Sequence, residues 1–299
     1  MTTAQAFEDW MKHIQSTMED ALASYLPPQR ELAPRLHEAM RYAALDGGKR
    51  VRPLLVFAAA DLFDADAGVA GRAAAAVEMI HAYSLVHDDM PCMDDDALRR
   101  GKPTVHVKYD EATALLVGDA LQSQAFLVLS EGDRIADPAR TLAMVRLLAR
   151  ASGSLGMCGG QAIDLASVGL ALSLDELEQM HRMKTGALLR ASVLLGALCG
   201  KSLSENEEAA LNAYAEAIGL AFQVVDDVLD ATADSATLGK TAGKDAADNK
   251  PTYVSILGLE KSRSLAEKLR DDAHAALVPF GENARRLREI ADLIVQRKA

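Results

Sequence analysis

Apolar residues return at steps of three and four along most of the chain between Ala73 and Leu229, a rhythm that belongs to helices with one buried face. The stretch ending at Asp230 shows it most cleanly, with Leu211, Tyr214, Ile218, Phe222, Val225 and Leu229 on one side of a helix. No segment alternates in the two-residue rhythm of a strand. Helix-stopping residues concentrate at Pro27-Pro28, Gly47-Gly48, Met90-Pro91, Gly101 to Pro103, Gly159-Gly160 and Gly200, which are expected to be connectors. No shift in composition divides the chain, so residues 1–299 read as one all-α domain of helix packed on helix. Asp234 to Pro251 stands apart as a long polar loop, and Lys240, Lys244 and Lys250 make it a candidate lid over an anion. Glu131 to Pro138 reads as a surface turn and Asn283 to Lys298 as an amphipathic helix.

Composition strengthens the helical reading. Hydrophobic residues make up 49% of the 299 but aromatics only 4%, and Ala and Leu, both good helix formers, carry the difference. The net charge of −11 argues against a nucleic-acid partner, which requires a basic field, so an anionic ligand has to be held locally. Cys92, Cys158 and Cys199 form no CxxC pair and are expected to be buried or inert thiols in a reducing cytosol. Met1 to His13 carries Glu8 and Asp9 and lacks the apolar core of a signal peptide. Apolar runs such as Leu54 to Ala60 fall far short of the ~20 residues of a membrane helix. A cytoplasmic protein without stable membrane insertion is expected.

Two acidic clusters carry the candidate chemistry. Gly219, Gln223, Asp226 and Asp230 follow the helical stepping on a second face of the 211–230 helix. That stacks two carboxylates one turn apart, about 5 to 6 Å between Cβ atoms, with Asp227 beside them. The other cluster runs from His87 to Asp96 and contains Asp88, Asp89 and Asp94. Six residues of unbroken helix turn Asp94 about 240° from Asp88, whereas Pro91 drives Met90 out of the helical region and lets Asp94 loop back. Carboxylates crowded beside apolar helices call for a cation or solvent, and an oxygen-only set suits a hard divalent ion such as Mg²⁺. Either run alone reads more often as the solvated end of a helix than as a metal site.

Gly47 to Pro53 places Lys49, Arg50 and Arg52 at a turn before an apolar helix, where backbone N–H groups and the helix dipole favour anions. His81 lies two turns before Asp88, Arg99 and Arg100 follow the first acidic cluster, and Lys184-Thr185-Gly186 reads as a loop between helical stretches. Each has an ordinary alternative: a solvated turn, a satisfied helix histidine, charge balance for Asp94 to Asp96. No GxxxxGK[ST] or GxSxG motif is present, so no covalent nucleophile is indicated. Together the acids and cations suit a diphosphate substrate whose departure is stabilised electrostatically.

In these blocks the chain resembles the trans-prenyl diphosphate synthases, and among them the bacterial farnesyl diphosphate enzymes. The similarity runs through GGKRVRP at 47–53, HAYSLVHDDMPCMDDDALRRGKPT at 81–104, GDALQ at 118–122, GMCGGQAIDL at 156–165, HRMKTGAL at 181–188 and GLAFQVVDDVLD at 219–230. It implies an antiparallel helical bundle around a deep central cavity, commonly a homodimer. It also implies that Asp88, Asp89, Asp94, Asp226, Asp227 and Asp230 bind Mg²⁺, with Mn²⁺ as a substitute. Arg99, Lys184, Thr185, Gln223 and Lys240 would hold the allylic diphosphate, and Lys49, Arg52, His81 and Arg100 the isopentenyl diphosphate. Asp88, Asp89, Asp94, Asp226, Asp227 and Lys184 form the expected catalytic set.

Product length rests on the residues before Asp88. Tyr83, the fifth residue back, matches the position where the family places an aromatic floor that stops growth near fifteen carbons, and Ser84 lies one turn back on the Asp88 face. Farnesyl diphosphate is therefore the expected product, with a geranylgeranyl or geranyl diphosphate synthase as the alternative. A terpene cyclase lacks use for the second basic site at Lys49, Arg52 and His81. A metal phosphohydrolase needs histidines that the second acidic cluster lacks, and a non-catalytic regulatory module requires degenerate clusters.

Overall fold

The structure, a computed structural model, describes residues 3–29, 32–131, 137–232 and 251–297. The candidate lid from Asp234 to Lys250, Lys240 included, lies outside the described residues, as does residue range 132–136 of the expected surface turn.

The helices are α1 (Thr3–Tyr25), α2 (Pro34–Ala44), α3 (Val51–Asp61), α4 (Ala67–Asp88), α5 (Val105–Lys108), α6 (Glu111–Ser130), α7 (Pro138–Ser152), α8 (Met157–Ala166), α9 (Leu174–His181), α10 (Ala187–Gly200), α11 (Glu205–Thr232), α12 (Tyr253–Leu257), α13 (Leu259–Ala276) and α14 (Arg285–Gln296). Among the described residues the only strand pairing is a two-residue antiparallel hairpin, Leu98–Arg99 with Lys102–Pro103. Side chains start several helices by accepting otherwise unpaired backbone N–H groups. Asp66 does so for α4 and Asp110 for α6, while Ser173 and Glu176 form a reciprocal capping box at α9.

The order of layers follows from where apolar residues surround a helix completely. Leu54 to Ala60 in α3 and Ala73 to Ile80 in α4 are buried throughout, so these two form the centre. α6 and α10 pack on α4, α10 also crosses α3, and α11 lies against α13. Small residues permit the closest crossing: a Cβ on Gly196 of α10 would lie 2.2 Å from the Val56 carbonyl oxygen of α3.

Several expectations change. Gly159-Gly160 is inside α8, and the break comes earlier, in the turn between Ser152 and Met157. Gly160 is required there by close approach, since a Cβ would sit 2.1 Å from the Lys184 backbone nitrogen. Lys184-Thr185-Gly186 is no loop: Arg182–Gly186 forms a π-helical turn that joins α9 to α10. Of the cysteines only Cys199 is buried, while Cys92 and Cys158 are exposed. Two helical spans, Glu111–Ser130 and Leu174–Gly200, are long and apolar enough to cross a membrane, which uninterrupted apolar runs alone did not reveal. The second is 67% buried inside the bundle and the first 39%.

Candidate active site

Two cavities meet beside α4. One, of about 410 Å³, has walls that include Tyr83, Ser84, Asp88, Met157, Gln161 and Lys184. The other, of about 550 Å³, is strongly basic, with Lys49, Arg52, His81, Arg100 and Arg297 around Glu78. Arg52 and His81 border both. A largely apolar chamber and a cationic one thus share a wall.

The first acidic cluster is built by the end of α4. After Pro91 the chain turns back, and the Asp94 N–H donates to the Asp88 carbonyl at 2.9 Å. Adjacent residues then face different ways. Asp88 borders the 410 Å³ cavity, whereas Asp89 is buried and gripped by Arg99, whose Nε lies 2.8 and 2.9 Å from the two carboxylate oxygens. Burial pushes Asp88 up to about 6, against the pull of the Lys184 ammonium and with help from the Asp94 charge. Burial also raises Asp89 despite Arg99. Beside Asp88, the His87 ring donates from Nε2 to the Leu115 carbonyl at 3.1 Å and fills the space left by Gly118 of α6.

The π turn and α11 supply a second group of residues; of these Lys184 and Thr185 border the 410 Å³ cavity and Phe222 the basic one. A π turn displaces successive side chains from the α-helical phase, and this one turns Lys184 and Thr185 toward the 410 Å³ cavity. The Thr185 hydroxyl donates to Gln223 Oε1 at 2.8 Å, which ties the turn to α11. Lys184 Nζ donates to Asp164 of α8 at 2.5 Å. Asp226 accepts from Arg297 Nη2 at 2.6 Å, and the same guanidinium lies 3.9 Å over the Phe222 ring. Asp227 accepts the Tyr253 backbone N–H at 2.7 Å, and Asp230 is buried one turn on from Asp226.

The basic cavity separates support from supply. Arg50, in left-handed backbone with φ 51°, is buried and donates to Glu78 Oε1 at 2.7 Å and to the Ala44 carbonyl at 2.8 Å, while also pairing with Glu19. Its charge is used internally. Arg52, in the first turn of α3, keeps a buried Nε without a hydrogen-bond partner among the described residues. Burial lowers its pKa, opposed by Glu78 and helped by Arg100. His81 is held well below its ordinary range by burial and by Arg52, Arg100, Arg99 and Arg50, so it is a neutral hydrogen-bonding group among cations. Gly48, at φ 94°, makes room for Arg100: a Cβ there would lie 2.6 Å from the Arg100 Nη1.

Four residues at the site escaped the sequence reading. Asp164 and Gln161 stand three apart on α8, a spacing that could have marked them. Gln161 leaves both amide atoms buried without a partner among the described residues, beside the cavity. Glu78 looked like one more helix residue, and nothing in sequence pointed to Arg297.

The donor set fits a hard divalent cation. Its members are carboxylate oxygens only, and Asp88 lies close enough to Asp94 for that charge to help raise it. Among the described residues no group of three or more His, Cys, Asp or Glu side chains lies together as a metal site. Mg²⁺ takes one or two carboxylates and fills its other positions with water and substrate phosphate, so it does not require such a group.

Comparison with known proteins agrees with this geometry. The chain belongs to the polyprenyl synthetase family, matched over residues 33–278, and is a trans-prenyltransferase. It is 50% identical to the farnesyl diphosphate synthase of Escherichia coli (strain K12) over 282 residues, covering 93% of this chain and 94% of that protein. An FPP/GFPP synthase from Zymomonas mobilis superposes with a TM-score of 0.89 at 46% identity, over 98% of this chain and 100% of the other. The geranyltransferase of Helicobacter pylori, solved with magnesium and isoprenyl diphosphate, gives a TM-score of 0.82 at 33% identity, over 96% and 95% of the two chains.

Proposed function

We propose that this chain condenses isopentenyl diphosphate head-to-tail with dimethylallyl and then geranyl diphosphate, giving farnesyl diphosphate and releasing diphosphate. The observation that carries the reading is the shared wall: Arg52 and His81 border both a basic chamber and a largely apolar one headed by Asp88, Lys184 and Thr185. Two diphosphates with hydrocarbon tails need such a pair of chambers. The E. coli and H. pylori relatives support the substrate class.

In this reading Arg52, Lys49, His81 and Arg100 bind isopentenyl diphosphate, and Arg99, Lys184, Thr185, Gln223 and Lys240 bind the allylic diphosphate. Asp88, Asp89 and Asp94 on one wall and Asp226, Asp227 and Asp230 on the other hold Mg²⁺, with Mn²⁺ as a possible substitute. When bound, the metal supplies positive charge that favours departure of the diphosphate. Lys184 adds a fixed cation at the same place. The isopentenyl double bond attacks that carbon, and the released diphosphate takes the proton whose loss restores the alkene. Largely apolar walls exclude water, which would otherwise trap the cation as an alcohol.

The same reading includes a single domain, a cytoplasmic location and a homodimer. Leu115, Leu116 and Leu127 of α6 are exposed apolar residues that a second copy would cover. Incubation with labelled isopentenyl diphosphate, Mg²⁺ and dimethylallyl or geranyl diphosphate, followed by product mass, tests the reaction. A fifteen-carbon product is expected. A twenty-carbon one, the geranylgeranyl alternative, would retain the chemistry but not the Tyr83 stop, and no condensation would overturn the assignment.

A further inference from the structure

The phenol of Tyr83 is not simply packed at the end of the cavity. It is 5% exposed, and its hydroxyl lies 3.4 Å from Cys158 Sγ on α8. Gln122 on α6 lies near the same hydroxyl, and the His87 ring meets the Tyr83 ring edge-on at 5.7 Å between centroids. The tyrosine of α4 is therefore bonded from α8 and flanked from α6. Cys158 and Gln122 belong to GMCGGQAIDL and GDALQ, two blocks in which neither residue had a role.

We propose that Cys158 and Gln122 are positioning residues for product length, holding the Tyr83 ring across the cavity so that it stops chain growth. This rests on the reading of Tyr83 as the floor. A buried aromatic ring with a free hydroxyl swings about χ1 and χ2 only if its contacts allow it. Bonding the oxygen from α8, with Gln122 of α6 beside it, restricts that freedom at the moment a growing hydrocarbon presses on the ring. The cavity-facing thiol of Cys158 itself has ordinary size, so its contribution acts through the hydroxyl. A hydrogen bond of ordinary net worth corresponds to about a two- to tenfold change in such an equilibrium.

The test is product distribution, read as the ratio of twenty- to fifteen-carbon product from geranyl diphosphate at saturating isopentenyl diphosphate. Cys158→Ala and Gln122→Leu should each raise the ratio by about two- to tenfold, following that equilibrium. Cys158→Ser, which keeps a hydrogen-bonding atom, should stay near the parent ratio. Tyr83→Phe should raise the ratio similarly, and Cys158→Ala added to Tyr83→Phe should raise it no further. Tyr83→Ala serves as the reference for loss of the whole floor. If Tyr83→Ala lengthens the product while Cys158→Ala and Gln122→Leu match the parent, the clamp is refuted and the floor survives. If Cys158→Ala acts fully on top of Tyr83→Phe, the effect is one of volume and the clamp is also refuted. If Tyr83→Ala leaves the product unchanged, the floor and the clamp both fail.

Discussion

The two acidic clusters look alike in sequence and are held quite differently. At the end of α4, Asp88 is raised to about 6 by burial while its neighbour Asp89 is locked by Arg99. On α11, Asp226 is met by Arg297 and Asp227 by the Tyr253 backbone N–H. One cluster keeps a carboxylate poised by desolvation, and in the other Asp226 and Asp227 are met by groups from the C-terminal part of the chain. The same residue type therefore meets different electrostatic surroundings in the two clusters, set by what packs around it.

The strongest way to break the comparison is to neutralise each wall. Asp88→Asn and Asp226→Asn should each lower kcat by about 10²- to 10³-fold, the usual cost of losing one electrostatic stabiliser of the transition state. Steady-state kinetics checks this, and an unchanged kcat for either would remove that wall from the chemistry.

A smaller effect concerns the support of the second wall. His181 is 8% exposed, stacks on Tyr253 and is lowered to about 4 by burial. Because its folded pKa lies below the unfolded 6.5, the unfolded chain takes up the proton first as pH falls. Stability is complete above about pH 6.5 and declines toward pH 4, by at most about 3 kcal/mol. Urea titrations across that range should show the slope for the parent and lose it for His181→Asn.

Gly118→Ala perturbs only the first wall. A Cβ there would fall 1.9 Å from His87 Nε2, next to Asp88. Overpacking of this kind costs about 1 to 3 kcal/mol, to be read as a lower denaturation midpoint with a raised KM for the allylic substrate. The smallest expected effect is on metal binding. Protons compete for Asp88 below its pKa of about 6. Calorimetric Mg²⁺ affinity should therefore fall by about tenfold per unit below pH 6 and level off above it. Asp88→Asn should flatten that profile.

Much of this was legible in the chain. The 211–230 periodicity yielded α11 with its apolar stripe, and Pro91 correctly implied that Asp94 returns toward Asp88. The GGKRVRP turn was visible as a cationic turn before an apolar helix, as α3 shows. Where the reading went astray, the cause was a contact between elements. Gly159-Gly160 looked like a break because glycine disfavours helix, but α8 accepts Gly160 so that the Lys184 backbone can approach.

The sequence by itself determined the helices, most of their ends and the residue types that gather around the site, because periodicity, capping and proline act over a few neighbours. Tertiary structure alone decided that Arg50 is spent on Glu19 and Glu78 while Arg52 faces the cavities. It also decided that Arg297 reaches Asp226 across 71 positions and that Tyr83 is pinned by Cys158 across 75. Those pairings depend on how helices cross, and the separation along the chain carries no local signal of which side chains will meet.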